Sequence, residues 1–196
     1  MKVLEDKIFY IENFLFSETC QFLISSFSKN IRQSERLGVF GGPGRGEQNN
    51  ASEICGLEKI EEQSNDGDKN IAIDLFTSLC PSIEKTMSVL FGKELVLKSY
   101  FYSHMKEGGS NDLHVDNYSK EYENDYSAIL YLSDSYSGGI LNFPEKKLEL
   151  KPKPGTLIAF IGTDDLKHEV QKVISGDRIN IICFLKEKER TALNEN

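Results

Sequence analysis

The 196-residue chain sets 31 acidic side chains against 23 basic ones, a formal net charge of −8. It therefore lacks a general electrostatic pull toward phosphate backbones or anionic lipid, and neither nucleic acid nor membrane is an expected partner. Hydrophobic residues at 39% and charged residues at 28% are the balance of a soluble globular chain, expected as one domain over residues 1–196.

Cys20, Cys55, Cys80 and Cys183 stand apart with no C-x-x-C pair, which predicts reduced thiols used as small apolar residues. Charged residues interrupt the first eleven positions, and no apolar run approaches the ~20 residues of a membrane span. A cytoplasmic setting is the expectation.

In chain order, 7–16 mixes β-branched and aromatic residues and reads as an extended entry. Ser17 reads as a helix N-cap with Glu18 in the first turn, and Cys20, Leu23, Ile24 and Phe27 follow at helical spacing. The cluster Ser28-Lys29-Asn30 is expected to end that helix. From 34 to 67 seven glycines and Pro43 replace any apolar period, predicting either a flap beside an active site or a plain linker. Its Gly-Gly-Pro-Gly-Arg-Gly run lacks the pattern of a phosphate loop. A second helical region spans 70–91, with Ile71, Leu75, Leu79, Ile83, Val89 and Leu90 apolar, a break expected at Pro81 and a stop at Gly92.

From residue 95 the texture is β. Eight short strands are predicted, at 95–104, 112–116, 126–132, 140–143, 147–150, 156–161, 168–173 and 178–185, separated by Gly, Pro, Asn and Asp turns. The fold class is mainly β with flanking helices. Residues 1–94 are helical support and flap, 95–185 the sandwich or jelly-roll core, and 186–196 a charged, fraying tail.

Chemistry concentrates at Leu113-His114-Val115-Asp116-Asn117. On a strand, i and i+2 share a face, so His114 and Asp116 project together as two ligands of a facial triad, the arrangement of non-haem iron(II) oxygenases. His168 is the candidate third ligand. Arg178, ten residues later, suits the carboxylate of a dicarboxylate cosubstrate. For His168 and Arg178 to share a face, a loop of Ser175 to Asp177 must pair Ile174 with Arg178, about 20 Å of strand from His168. The same parity turns Asn180 and Ile182 inward.

The chain resembles the iron(II)- and 2-oxoglutarate-dependent dioxygenases, in particular their prolyl 4-hydroxylase-like branch. The resemblance is carried by His114-Val115-Asp116, by Ile129-Leu130-Tyr131-Leu132-Ser133-Asp134, and by Gly138-Gly139-Ile140-Leu141-Asn142-Phe143. It continues through Pro152-Lys153-Pro154-Gly155-Thr156-Leu157-Ile158-Ala159-Phe160 and the block from His168-Glu169-Val170 to Gly176-Asp177-Arg178. Ile11-Glu12-Asn13-Phe14-Leu15 before a helix is similar to the same branch.

It implies a double-stranded β-helix core, Fe(II) on His114, Asp116 and His168, and 2-oxoglutarate chelating that iron with its far carboxylate on Arg178. It also implies O2 as co-reactant and ascorbate as a possible reductant. Family members carry a tyrosine upstream of the H-x-D that holds the cosubstrate; Tyr102 is the choice here, with Tyr100 next. Leu141 stands where the family often has Thr, and His104 matches no family position.

A prolyl residue in a peptide or protein is the leading substrate. A free amino acid or small metabolite is the alternative, and a non-catalytic metal- or sugar-binding jelly roll a third reading. Nucleic-acid demethylases of the superfamily carry a second arginine six residues after the first, where this chain has Phe184.

Overall fold

The computed structural model describes residues 1–5, 7–31, 52–56, 67–116 and 126–188, without the side chains of 28–31, 52–56, 67–70 and 72. In chain order these are β1 (Lys2–Glu5), β2 (Ile8–Ile11), α1 (Ser17–Ile31), β3 (Ser52–Gly56), α2 (Gly67–Phe91), β4 (Leu95–Met105) and β5 (Asn111–His114). Then come β6 (Tyr126–Tyr131), β7 (Tyr136–Gly138), β8 (Leu141–Phe143), β9 (Leu148–Leu150), β10 (Leu157–Ile161), β11 (His168–Val170), β12 (Val173–Gly176) and β13 (Arg178–Glu187). A seven-stranded sheet runs β1-β2-β10-β6-β13-β4-β3, a four-stranded sheet β5-β11-β8-β9, and β12 pairs with β7. This is the expected jelly roll with helices outside.

Both faces of the large sheet are covered, so its central strands read as continuous apolar runs with hidden alternation. Ala128 and Leu130 of β6, Leu157 and Ala159 of β10, and Ile179, Ile181, Cys183 and Leu185 of β13 join one core with the helices. Ile129 and Tyr131, with Ile158 and Phe160, turn the other way and pack with Leu141, Phe143, Leu150 and Val170 of the small sheet. The two sheets thus enclose an interior on the side away from the helices.

The helices depart from expectation in instructive ways. Helix α1 runs on through Ser28-Lys29-Asn30 to Ile31; none of these residues is a Gly or Pro, so nothing in the backbone stops it. Helix α2 continues through Pro81. A proline inside a helix costs roughly 3 kcal/mol. Ile73 and Phe76 before it and Ile83 and Met87 after it are buried in the core. At roughly 1.5–3 kcal/mol for each such side chain, that burial outweighs the penalty. Of the predicted apolar face, Ile83 is buried and Leu75, Leu79 and Leu90 pack against the core, while Ile71 and Val89 are exposed. Gly92 ends the helix with φ +63, as expected.

Three further expectations need correction. The glycine-rich 34–67 stretch contains β3, which extends the large sheet beside β4; residues 32–51 and 57–66 lie outside the described residues, as do 117–125 and 189–196. The tail was expected from residue 186, but β13 reaches Glu187, and the Lys188 ammonium pairs with Glu94 at 2.6 Å. No hairpin joins β12 to β13. Ser175 and Gly176 pair with Ser137 and Tyr136 of β7 instead, so the loop that was to match Ile174 with Arg178 does not form. Asp177 alone separates the strands, and the chain crosses into the large sheet. Gly176 makes that crossing possible: its φ is +80, and a Cβ there would collide with the Ser135 carbonyl oxygen.

Candidate metal centre and anion pocket

Strands β5 and β11 pair antiparallel with His114 directly opposite His168. Directly opposed side chains share a face, and the ring centroids lie 4.3 Å apart. Each ring is oriented through its other nitrogen. His114 Nδ1 donates to the Asp112 carbonyl at 2.6 Å, and His168 Nδ1 donates to the Leu166 carbonyl at 3.2 Å. The two Nε2 atoms are the candidate ligand atoms, the arrangement metal-ligating histidines use, and the Asn111 side-chain amide lies 3.3 Å from that of His114.

Asp116 arrives by a different route from the one predicted. Strand β5 ends at His114, so shared strand parity does not place the carboxylate. The Ser127 hydroxyl of β6 does, donating to Asp116 Oδ2 at 2.5 Å. The other oxygen, Oδ1, lies 3.4 Å from His114 Nε2 and 3.7 Å from His168 Nε2. One ligand atom from each of the three residues falls within 4.8 Å of the others. Burial alone would raise the Asp116 carboxyl; the His168 and His114 imidazoles and the Ser127 hydroxyl outweigh it and hold it at about 2. An ionised, buried carboxylate and two imidazole nitrogens form a donor set that fits one divalent cation. Phe143 and Phe160 flank His168 with centroids at 5.4 and 4.8 Å, an apolar wall on one side.

Arg178 opens β13 on the opposite sheet and faces the same interior. It is only 2% exposed. Its Nε donates to the Gly139 carbonyl at 3.1 Å, Nη2 donates to the Tyr131 hydroxyl at 2.8 Å, and Nη1 stands 3.9 Å from Met105 Sδ. Its carbon Cζ stands 5.1 Å from the Tyr131 ring centroid. No carboxylate pairs with it among the described residues. Burial pushes the Tyr131 hydroxyl up against the pull of Arg178, keeping it a neutral phenol.

The register maps the floor between cation and triad. Met105 lies beside Arg178; two residues along, Ser103, Asn180 and Tyr131 lie side by side. Beyond them come Phe101, Ile182 and Ile129, then Ser99, Phe184 and the Ser127 that holds Asp116. Asn180 is fully buried, and among the described residues its amide nitrogen and oxygen have no partner, nor has the Ser103 hydroxyl. Asn180 thus faces inward as its parity predicted.

Tyr102 does not. It pairs with Ile181, shares the helix-side core, and packs on Phe27 at 5.2 Å. Tyr100 points the same way, against Phe76 at 5.1 Å. The tyrosine at the cation is Tyr131, present in the sequence blocks but given no role there; its parity with Ser127 on β6 was the available signal. His104 sits on the helix-side face, its Nε2 2.6 Å from Asp177 Oδ1. Leu141 is buried in the interior core.

Two histidines and an aspartate converging inside a jelly roll fit the mononuclear non-haem metal oxygenases as a class. The sequence model of the 2OG-Fe(II) oxygenase superfamily matches residues 97–186. Over these residues, a little under half of the chain, the sequence matches that superfamily; the enzyme is a 2-oxoglutarate/Fe(II)-dependent dioxygenase, with iron(II) as cofactor and 2-oxoglutarate as cosubstrate.

A search of curated proteins gives no match. Solved structures do match. A prolyl hydroxylase from Trichoplax adhaerens, in complex with a hypoxia inducible factor peptide fragment, is 17% identical with TM-score 0.70, covering 97% of this chain and 88% of its own. A Pseudomonas putida prolyl-4-hydroxylase is 17% identical with TM-score 0.68, over 93% and 94%. The collagen prolyl hydroxylase of Paramecium bursaria Chlorella virus-1, in its 2-oxoglutarate complex, is 18% identical with TM-score 0.64, over 93% and 97%. At these identities the likeness is one of fold. No helix among the described residues is long and apolar enough to cross a membrane.

Proposed function

We infer that this dioxygenase hydroxylates an unactivated C–H bond, and that a prolyl residue in a peptide or protein is its substrate. Arg178 carries the reading. A guanidinium 2% exposed, with no carboxylate partner among the described residues, is costly to keep buried unless an anion joins it. It faces the interior that also receives His114, Asp116 and His168. The far carboxylate of 2-oxoglutarate is that anion, held by Arg178 and Tyr131.

His114 Nε2, Asp116 Oδ1 and His168 Nε2 would hold iron(II). When bound it supplies oxygen activation coupled to decarboxylation of 2-oxoglutarate to succinate. The remaining work belongs to the protein. The Asp112 and Leu166 carbonyls fix the two imidazole tautomers, and Ser127 aims Asp116. Asn180 offers its unpartnered amide to the cosubstrate from the strand row next to Arg178. Phe143 and Phe160 exclude water beside His168. A prolyl substrate is supported by the three prolyl hydroxylases that share the fold along nearly their whole length, one of them holding a peptide.

The test is incubation with iron(II), 2-oxoglutarate, oxygen and ascorbate against proline-containing peptides and free amino acids. The expected result is one added oxygen atom on a peptide proline, matched by succinate. Oxygen added only to free amino acids would replace the peptide reading, and 2-oxoglutarate left intact in every mixture would overturn hydroxylation.

A further inference from the structure

Beside the cation lies a buried group with no role so far. Tyr136 of β7 is 5% exposed, and its hydroxyl has no partner at hydrogen-bonding geometry among the described residues. Its ring and the Arg178 stem are neighbours through Gly139: a Cβ built there would stand 3.1 Å from Arg178 Cδ and 3.1 Å from Tyr136 Cδ2 and Cε2. Glycine at 139, with φ +59, lets ring and stem close on one another. Lys151 fixes the ring from behind. Its Nζ donates to the Tyr136 carbonyl at 2.5 Å and stands 4.9 Å from the ring centroid. Burial, with Tyr131 nearby, outweighs the pull of the adjacent Arg178 guanidinium and pushes the hydroxyl up to about 12, so it is a neutral donor at ordinary pH.

A carboxylate offers about four lone-pair positions. Arg178 already gives Nε to Gly139, one Nη2 hydrogen to Tyr131 and one Nη1 hydrogen to Met105 Sδ, so two of its five hydrogens remain. The Tyr131 oxygen accepts that bond, which leaves its own proton to donate. The remaining guanidinium hydrogens and the Tyr131 proton still leave room for another donor.

We propose that Tyr136 is a third binding group for the far carboxylate of the cosubstrate, donating its hydroxyl proton to a carboxylate oxygen beside Arg178 and Tyr131. This rests on the reading that Arg178 holds 2-oxoglutarate. A tyrosine kept for structure would have its buried hydroxyl satisfied by protein; this one is satisfied by ligand. Its removal therefore weakens binding without weakening the ligand-free fold.

The experiment loads wild type and Tyr136→Phe with nickel(II), which holds the site without turnover. 2-Oxoglutarate is titrated calorimetrically, nickel(II) affinity is measured separately, and the melting temperature of the ligand-free protein is recorded. The expected result is 2-oxoglutarate binding about 10–100-fold weaker in Tyr136→Phe, the range for a hydrogen bond to a charged group. Nickel(II) affinity is unchanged, and the ligand-free melting temperature is equal or higher. Equal 2-oxoglutarate affinity in the two proteins overturns the proposal and leaves the Arg178 reading standing. Weaker nickel(II) binding or a lower ligand-free melting temperature marks the hydroxyl as structural and overturns it too. If wild type itself binds no 2-oxoglutarate, both readings fall.

Discussion

The two faces of the seven-stranded sheet are made from the same strands and do different work. Toward the helices, β13 presents Ile179, Ile181, Cys183 and Leu185, all closed into one apolar core. Toward the small sheet the same strand presents Arg178 and Asn180, buried to 2% and 0% exposure. Among the described residues, buried side-chain nitrogen and oxygen atoms without a partner belong to Ser103, Tyr136 and Asn180. Ser103 and Asn180 lie on this inner face and Tyr136 closes it at Arg178. Each such orphan costs about 1–3 kcal/mol, so a face that gathers them is built for a ligand rather than for stability. The helix side holds the fold, and the inner side is where consistency is given up for function.

The sharpest break of that contrast is at the metal. His168→Ala removes a ligand atom from the inner side. Turnover of 2-oxoglutarate should fall by more than about 100-fold, beyond the 10–100-fold typical of outer partners alone. The iron-dependent rise in melting temperature should disappear with it. A variant that keeps that rise would remove His168 from the metal.

Next in size is a paired test on β6. Leu130→Ala, on the helix side and fully buried, should cost about 2–5 kcal/mol in denaturant unfolding. Affinity for 2-oxoglutarate should stay within about twofold. Ser127→Ala, three residues away on the inner face, leaves Asp116 Oδ2 without its donor. Metal affinity should drop about 10–100-fold while unfolding changes less than in Leu130→Ala. If the two variants exchange these signatures, the division of labour between the faces is wrong.

Much of this was legible in the sequence because it is local or periodic. Eight short strands at close spacing, the turn residues between them, and the order of the motif blocks led to a jelly roll. Counting parity from Arg178 turned Asn180 inward. What escaped was long-range. Ser137-Gly138-Gly139 has turn composition, yet Gly138 sits in a strand opposite Val173, a partner no local pattern announces. Strand β5 stops short of Asp116, so the carboxylate depends on a serine eleven residues on. Pro81 in α2 was overruled by apolar burial on both sides of it.

The smallest expected effect tests the residue that sequence placed on the wrong face. An upstream tyrosine was expected at the cosubstrate, and Tyr102 has the right chemistry for it. But Met105 is opposite Arg178 and Ser103 is opposite Asn180, so on β4 the odd positions face the site. Tyr102 falls on the even parity, against Phe27. Tyr131, opposite Asn180 on β6, reaches Arg178 at 2.8 Å. Removing its hydroxyl in Tyr131→Phe should weaken 2-oxoglutarate binding about 10–100-fold, the worth of a hydrogen bond to a charged group. Tyr102→Phe should leave that affinity within about twofold, and any loss should show in unfolding at the ~1 kcal/mol scale of one hydrogen bond. Calorimetric titration of both variants decides it. A large loss in Tyr102→Phe with none in Tyr131→Phe would mean that β4 presents its other face to the cosubstrate.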